Sequence, residues 1–141
     1  MARNANTPIT YDGPSRGYGG SSQIADAIFT FPAATVAANS TFTLFVIPKG
    51  SRLIRTHFKA DDADSNGTPT IVFSVGDAGS ANRYLASSNI AQAGGTVQTT
   101  LAGAMNFVFT QDTPIILTIN TAAAVQTAGA QIYAFFEYVE A

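Results

Sequence analysis

The segment "QIYAFFEYV", residues 131–139, decides the fold class because an apolar side chain recurs at every second position. The repeating side chains are Ile132, Ala134, Phe136 and Tyr138. In an extended chain these four share one face, and Glu137 lies on the opposite face. This alternation is typical of a β-strand with one buried face and one face in water.

The same period of two recurs along the chain and predicts about seven strands. They cover residues 26–31, 41–47, 52–60, 70–75, 105–109, 114–120 and 131–139, with a candidate eighth strand at 96–101. In 41–47 the alternation places Phe42, Leu44 and Val46 on one face. The apolar faces of two other strands are Ile71, Phe73 and Val75, and Ile115, Leu117 and Ile119.

Turn-forming residues such as Asn66-Gly67 and Gly94-Gly95 separate these segments at short intervals. No long amphipathic helix is visible, and the nearest candidate is a single helical turn within residues 80–88. Short strands with frequent turns predict an all-β protein. We expect an antiparallel β-sandwich, jelly-roll-like, that forms a single domain over residues 25–141.

Charged residues make up 11% of the 141-residue chain, against about 25% in an average soluble domain. A free monomer usually carries more charge to stay soluble, so we expect much of the surface to face another protein. The chain has no cysteine for a disulfide framework. Its net charge of −2 and the lack of a long apolar run indicate no nucleic acid and no membrane as partners.

Residues 1–24 differ from the rest of the chain because they are rich in glycine, serine and asparagine and show no periodicity. We expect an extended N-terminal arm that orders against a neighbouring subunit, with a disordered end as the alternative. The expected contact residues of the arm are Arg3, Tyr11, Arg16 and Tyr18. The segment lacks the apolar run of a signal peptide, which predicts synthesis and assembly in the cytosol.

The run "DADSNG", residues 62–67, resembles the start of a calcium loop, with Asp62, Asp64 and Asn66 at alternate positions. An EF-hand loop would require a glutamate where Phe73 stands, together with flanking helices. We therefore expect a polar loop between two strands and no metal. A metal site of another type, formed by the same three residues, is the weaker alternative.

Four of the seven lysines and arginines fall between residues 49 and 59. The alternation of a strand predicts that Arg55, His57 and Lys59 share one face with Leu53. A nucleic-acid site would require a larger basic patch with interleaved aromatic residues. We expect Arg52, Arg55 and Lys59 to lie on a face that is solvated or contacts carboxylates of a neighbouring subunit instead.

Catalytic motifs are missing from the sequence. His57 is the only histidine, and no Gly-x-Ser-x-Gly elbow or phosphate-binding loop is present. The acidic residues lie at loop tips, near turns or at the C-terminal end rather than as a pair within a cleft. The sequence predicts a protein that is not an enzyme and that has no cofactor.

In residues 75–95, Asp77 and Arg83 are spaced to close a loop with a charge-assisted hydrogen bond.

Two long segments of the chain are distinctive. The first is "VIPKGSRLIRTHFKADDADSNGTPTIVFSVGDAGSANRYLASSNIAQAGG", residues 46–95, and the second is "FTQDTPIILTINTAAAVQTAGAQIYAFFEY", residues 109–138. They contain short pieces in order, including Ile47-Pro48-Lys49-Gly50, Val75-Gly76-Asp77 and Asp112-Thr113-Pro114. On these pieces the chain resembles a family of small virion proteins of tailed bacteriophages, the head decoration or cement proteins encoded near the major capsid gene. The resemblance does not extend to the arm.

This resemblance implies a β-sandwich that binds the outer surface of an icosahedral head as a homotrimer and staples adjacent subunits of the major capsid protein. It also implies location on the capsid exterior after assembly in the host cytoplasm. Two alternatives remain. One is a phage tail, baseplate or receptor-binding component, although no tryptophan is present to stack on a sugar. The other is an enzyme or a metal-dependent binding module.

Overall fold

The computed structural model of the protein describes residues 22–140. The strands are β1 (Ser22–Thr30), β2 (Ser40–Ile47), β3 (Ser51–Ala60), β4 (Val72–Asp77), β5 (Ser80–Ser88), β6 (Gly95–Val97), β7 (Thr113–Thr121) and β8 (Gln131–Glu140). A short 3-10 helix covers Ile90–Gln92. Within the described residues, no helix is long and apolar enough to cross a membrane.

The strands form two four-stranded sheets that pack as a sandwich. Sheet A has the order β1-β8-β3-β6 and sheet B the order β2-β7-β4-β5, and every neighbouring pair is antiparallel. Between β1 and β8, only the β4–β5 connection stays within one sheet, and the others cross the sandwich. The predicted all-β antiparallel sandwich is confirmed. Its first strand begins at Ser22, three residues before the predicted domain start.

The core lies between the two sheets and is filled by the alternating apolar side chains of the central strands β7 and β8. Ile115, Leu117 and Ile119 are completely buried, as their spacing predicts. Phe136 lies at the centre of an aromatic group, with its ring centroid 5.0 Å from that of Tyr84 and 5.1 Å from that of Phe45. Side chains from both sheets therefore interdigitate, which holds the sheets together.

Two predictions of which side chains share a face are wrong, and both errors come from β-bulges. The pairing of β2 with β7 shifts register between Thr43 and Phe45, so Val46 is 53% exposed rather than buried. The pairing of β3 with β8 shifts between Leu53 and Arg55. A bulge adds one residue and reverses the alternation beyond it. Leu53 therefore lies in the core, on the face opposite Arg55.

Two predicted segments also differ from the structure. Residues 80–88, expected to contain a helical turn, form strand β5, whose serine, alanine and asparagine residues give little periodicity. Residues 105–109, expected to form a strand, consist of the end of a turn followed by an isolated bridge between Val108 and Arg52. They still extend sheet A beyond β3, because the Leu53 amide donates a hydrogen bond to the Phe107 carbonyl at 2.9 Å and the Phe109 amide donates one to the Ser51 carbonyl at 2.8 Å. The candidate eighth strand at 96–101 is confirmed only as the short β6.

Gly76 allows β5 to fold closely against the end of β4. A Cβ atom on Gly76 would lie 2.1 Å from the Ser80 carbonyl oxygen and 2.2 Å from the Ala81 carbonyl carbon, both of which are backbone atoms. We expect Gly76→Ala to lower the free energy of unfolding by about 3 kcal/mol, because the backbone must shift to admit the methyl group. Urea denaturation of the purified variant measures this loss.

Gly103→Ala is the matched control, because nothing lies within 4 Å of a Cβ atom at that position. We expect this variant to stay within about 0.5 kcal/mol of the parent protein. Equal stability of the two variants would contradict the close approach of β5 to β4.

Candidate functional site

The outer face of sheet A brings together the three basic residues that the sequence singled out in β3. Arg52, Arg55 and Lys59 are all exposed there. They are spread along the strand, so Arg52 and Lys59 lie about 23 Å apart at the usual rise per residue. The structure therefore offers a row of positive charges along one strand.

Residues of β8 and β1 continue this face across the sheet in three rows. The rows are Lys59–Tyr133–Ile28, His57–Phe135–Asp26 and Arg55–Glu137–Ile24. We call these nine residues, together with Arg52, the mixed face. Ile24 is 59% exposed and Ile28 is 58% exposed, which is unusual for large aliphatic side chains. The mixed face thus combines charged, aromatic and aliphatic groups.

Arg55 is held in place by its neighbours on β8. Its Nε donates a hydrogen bond of 2.8 Å to the Glu137 carboxylate, and its guanidinium carbon lies 5.7 Å from the centroid of the Phe135 ring. The Arg55 side chain remains 62% exposed, so this ion pair contributes at most about 1 kcal/mol to stability. The pair orients Arg55 while leaving its charge accessible to a partner.

Other polar contacts fix the two ends of the mixed face. At one end, Nη1 of Arg52 donates a hydrogen bond of 2.7 Å to Oδ1 of Asn106. Across the sheet, the Tyr133 hydroxyl donates to the Asp26 carboxylate at 3.3 Å. Burial raises the pKa of Tyr133, and the charge and hydrogen bond of Asp26 raise it further. Tyr133 is therefore a neutral hydrogen-bonding group at physiological pH.

The arm residues Arg3, Tyr11, Arg16 and Tyr18 lie outside the described residues. β1 begins beside the mixed face, because Ser22 pairs with Val139 and Val139 pairs with Arg52. The chain before residue 22 is thus joined to the sheet that carries the basic residues.

The acidic run that resembles a calcium loop forms consecutive turns. The Asp62 carboxylate accepts a hydrogen bond from the Asp64 amide at 3.1 Å, and the Asp64 carboxylate accepts one from the Asn66 amide at 3.3 Å. The Asn66 side-chain oxygen accepts one from the Thr68 amide at 2.8 Å. Each side chain accepts from the residue two positions on, which is the Asx-turn pattern. The alternate spacing that calcium loops also show therefore places these side chains to accept hydrogen bonds from backbone amides of their own loop.

Asp64 has a second role, which joins its loop to the segment after β7. Only 1% of Asp64 is exposed. Besides Asn66, four backbone amides donate to its carboxylate: those of Thr70 (2.8 Å), Ile71 (3.3 Å), Ala124 (2.9 Å) and Val125 (3.0 Å). Its burial alone would raise the pKa, but these amide donors outweigh that effect and hold the pKa of Asp64 well below its usual range.

Both Asp64 oxygens are thus occupied by amide donors, and N–H groups rather than open space surround the carboxylate. In residues 22–140, no group of three or more histidine, cysteine or acidic side chains is arranged to hold a metal ion. The geometry of Asp62, Asp64 and Asn66 supports a structural role for this loop.

Asp77 forms a similar polar centre at the β4–β5 turn. The Tyr84 hydroxyl donates to its carboxylate at 2.6 Å and Arg83 Nε donates at 2.9 Å, which confirms the predicted contact between Asp77 and Arg83. Burial tends to raise the pKa of Asp77, but hydrogen bonds from Tyr84, Arg83 and Ser80 lower it overall. Burial and the Asp77 carboxylate raise the pKa of Tyr84. These side chains satisfy one another's hydrogen-bonding groups. The guanidinium carbon of Arg83 also lies 4.1 Å from the centroid of the Phe107 ring.

The aliphatic and aromatic part of the mixed face was not predicted from the sequence. Ile24 and Ile28 show the alternation of a strand, and so does Phe135 within 131–139. The pattern identifies two sides of each strand, but only the pairing of β1, β8 and β3 shows that these residues lie beside Arg55 and Lys59.

Solved phage capsids contain chains of the same fold. A chain of the cyanophage Pam1 capsid asymmetric unit is 26% identical, with a TM-score of 0.79 over 99% of this chain and 98% of that chain. A chain of the capsid of Ralstonia phage GP4 is 25% identical, with a TM-score of 0.78 over 91% and 90% of the two chains. The resemblance to phage head proteins is confirmed.

A third chain, from the acid-stable capsid of Helicobacter pylori bacteriophage KHP30, is 17% identical with a TM-score of 0.57 over 84% of this chain and 86% of that chain. At this identity the likeness concerns the fold alone. No family model and no curated protein matches the chain. The first two likenesses span nearly the whole chain and support a structural role in the virion.

We expect the buried carboxylate of Asp64 to make the stability of the protein depend on pH. Because its pKa is lower in the folded protein than in the unfolded chain, the ionised carboxylate stabilises the fold above about pH 4, and this stability is lost as pH falls further. We expect Asp64→Asn to lower the free energy of unfolding at neutral pH by about 3 kcal/mol and to weaken its dependence on acid pH. Denaturation curves between about pH 3 and pH 7 measure both effects.

Asp62→Asn is the control, because an asparagine at this exposed position can still accept the hydrogen bond from the Asp64 amide. We expect it to match the parent protein within about 0.5 kcal/mol. If the two variants behave alike at every pH, Asp64 does not anchor the loop.

Proposed function

We propose that the protein is a capsid decoration protein that binds the outer surface of an icosahedral phage head and staples adjacent subunits of the major capsid protein. The observation that carries this proposal is the likeness, over nearly the full chain, to components of two phage capsids. The low content of charged residues is consistent with a protein that works within an assembly.

The mixed face is the part of the described structure best suited to meet the capsid. Arginine and aromatic side chains are enriched in protein interfaces, and this face presents Arg55 beside Phe135 and Tyr133. Ile24 and Ile28 supply exposed apolar surface that is removed from water on binding. The basic row gives specificity for an acidic surface on the capsid subunit.

The arm adds contacts next to this face. Arg3, Tyr11, Arg16 and Tyr18 precede β1 in the chain, and the first residue of β1, Ser22, lies in the same cross-strand row as Arg52. An arm that follows one capsid subunit while the sandwich rests on the next would join the two. Burial of such a contact stabilises only the assembled shell, since the separated subunits lack the site.

Because each trimer makes several identical contacts with the capsid, a weak individual contact is sufficient for attachment. The protein acts as a homotrimer on the capsid exterior, so each trimer engages several subunits at once, and a modest affinity per contact becomes a durable attachment. Assembly takes place in the host cytoplasm, and major capsid protein is the partner. No reaction, cofactor or metal is required for this role.

Binding to heads that lack the protein tests the proposal. We expect the purified protein to sediment with such heads, and Lys59→Glu to weaken binding at least about tenfold at low salt, because the reversed charge meets an acidic surface. Lys49→Glu is the matched control, since Lys49 is exposed in the β2–β3 turn and is not part of the mixed face. The proposal fails if the parent protein stays in the supernatant, and the mixed face is excluded if both variants bind equally.

Removal of residues 1–21 tests the arm separately. The truncation leaves β1 complete, because this strand begins at Ser22. We expect weaker attachment to heads and a melting temperature within about 2 °C of that of the full chain, because the core lies between the two sheets. Unfolding of the truncated protein would instead show that the arm belongs to the core.

A further inference from the structure

The loop between β3 and β4 contains Asn66, the only asparagine of the chain that is followed by glycine. Asn66 and Gly67 are both exposed, at a bend of the loop. Nothing lies within 4 Å of a Cβ atom on Gly67, so the space beside its peptide unit is open. Because glycine has no side chain, the Gly67 nitrogen is not shielded from the Asn66 side chain or from water.

The Asx turn at Asn66 holds two groups that can react with each other. Oδ1 of Asn66 accepts a hydrogen bond of 2.8 Å from the Thr68 amide. The ring that this hydrogen bond closes includes both Cγ of Asn66 and the amide nitrogen of Gly67, so the side chain curls over the Gly67 peptide unit. A donor on Oδ1 also stabilises the negative charge that develops on this oxygen when a nucleophile attacks Cγ.

The nucleophile is the Gly67 amide nitrogen, whose N–H donates no hydrogen bond to any acceptor in residues 22–140. Three other exposed asparagines, at positions 39, 89 and 106, are followed by amides that do donate: those of Ser40 at 3.3 Å, Ile90 at 3.4 Å and Phe107 at 3.0 Å. Such a bond must break before the nitrogen can react, which costs free energy. The Gly67 nitrogen does not carry this cost.

We propose that Asn66 is a site of spontaneous deamidation in the folded protein. A base removes the proton of the Gly67 nitrogen, and this nitrogen attacks Cγ of Asn66 from within the same loop. The new N–Cγ bond closes a succinimide ring, the bond between Cγ and Nδ2 breaks, and Nδ2 leaves as ammonia. Water then opens the ring at one of its two carbonyl carbons, which gives aspartate or isoaspartate at position 66. This reaction goes beyond the proposed function and does not depend on it.

The modification alters the loop that Asp64 anchors. The Asn66 amide donates to one oxygen of the Asp64 carboxylate at 3.3 Å, and the Thr70 amide donates to the other at 2.8 Å. The segment 66–70 is thus bound at both ends. Isoaspartate lengthens the main chain of this segment by one carbon atom, which strains both hydrogen bonds. Either product adds a negative charge close to Asp62 and Asp64.

The test follows the full-length protein by mass spectrometry during incubation at about 37 °C and about pH 8, where base is available. Trypsin cleaves after Lys59 and Arg83, so one peptide, residues 60–83, carries both Asn66 and Asn82. We expect the mass gain of amide conversion to carboxylate at Asn66, in two chromatographic products. Asn82 is the internal control, because it is also exposed but lies in β5 and is followed by arginine, and it should stay unmodified over the same time.

Gly67→Ala is the matched variant. An alanine fits at this position, because nothing lies within 4 Å of its Cβ atom and the φ angle of Gly67 is outside the left-handed region. The methyl group shields the adjacent nitrogen, so we expect deamidation to slow at least about tenfold. Thermal unfolding of the fresh variant should match that of the parent protein, which shows that the fold is retained.

A synthetic peptide of residues 60–70 gives the rate without the fold. We expect the folded protein to react no more than about threefold slower than this peptide, because exposed loop segments are open to the reaction. A larger decrease would overturn the inference, since the loop would then protect Asn66. Equal rates in the parent protein and Gly67→Ala would also overturn it, and so would modification of Asn82 as fast as that of Asn66.

Discussion

Burial of the inward side chains of β7 and β8 is the interaction on which the rest of the structure depends. These two strands occupy inner positions of their sheets, and each pairs with a strand on both sides. Leu117 and Phe136 are fully buried from opposite sheets, and the aromatic group around Phe136 includes residues from both. Since apolar burial is the main favourable term in folding, separation of the sheets would remove most of the stability. The outer faces can therefore vary without loss of the fold.

Two loops of this sandwich are anchored by buried carboxylates. Asp64 collects five backbone amides and joins the loop before β4 to the segment after β7. Asp77 anchors the β4–β5 turn through Tyr84 and Arg83. A buried carboxylate is tolerated only when its hydrogen-bonding capacity is satisfied, and both sites meet that condition. Rigid ends keep the outer faces of the sandwich in a fixed relation.

The outer faces of the two sheets differ in chemistry. The mixed face offers charge, aromatic rings and exposed aliphatic groups, which suits a different partner with complementary charge. Strands β2 and β7 of sheet B contain no acidic or basic residue, and their outward side chains are hydroxyls, an amide and aliphatic groups. The low overall charge of the chain is thus unevenly distributed: the charges in the strands lie mainly on one side of the sandwich.

The sequence by itself determined the fold class, most strand positions and the inward residues of β4, β7 and β8, because strand periodicity depends only on local alternation. It also indicated the contact between Asp77 and Arg83, which are close along the chain. Only the tertiary structure decided on which face of its sheet Leu53 and Val46 each lie, because each bulge depends on the partner strand. The role of Asp64 was hidden for the same reason: its donors at 124 and 125 are brought close by the packing of the sandwich. The mixed face likewise required the register of β1, β8 and β3, since residues far apart in sequence become neighbours only when the strands pair.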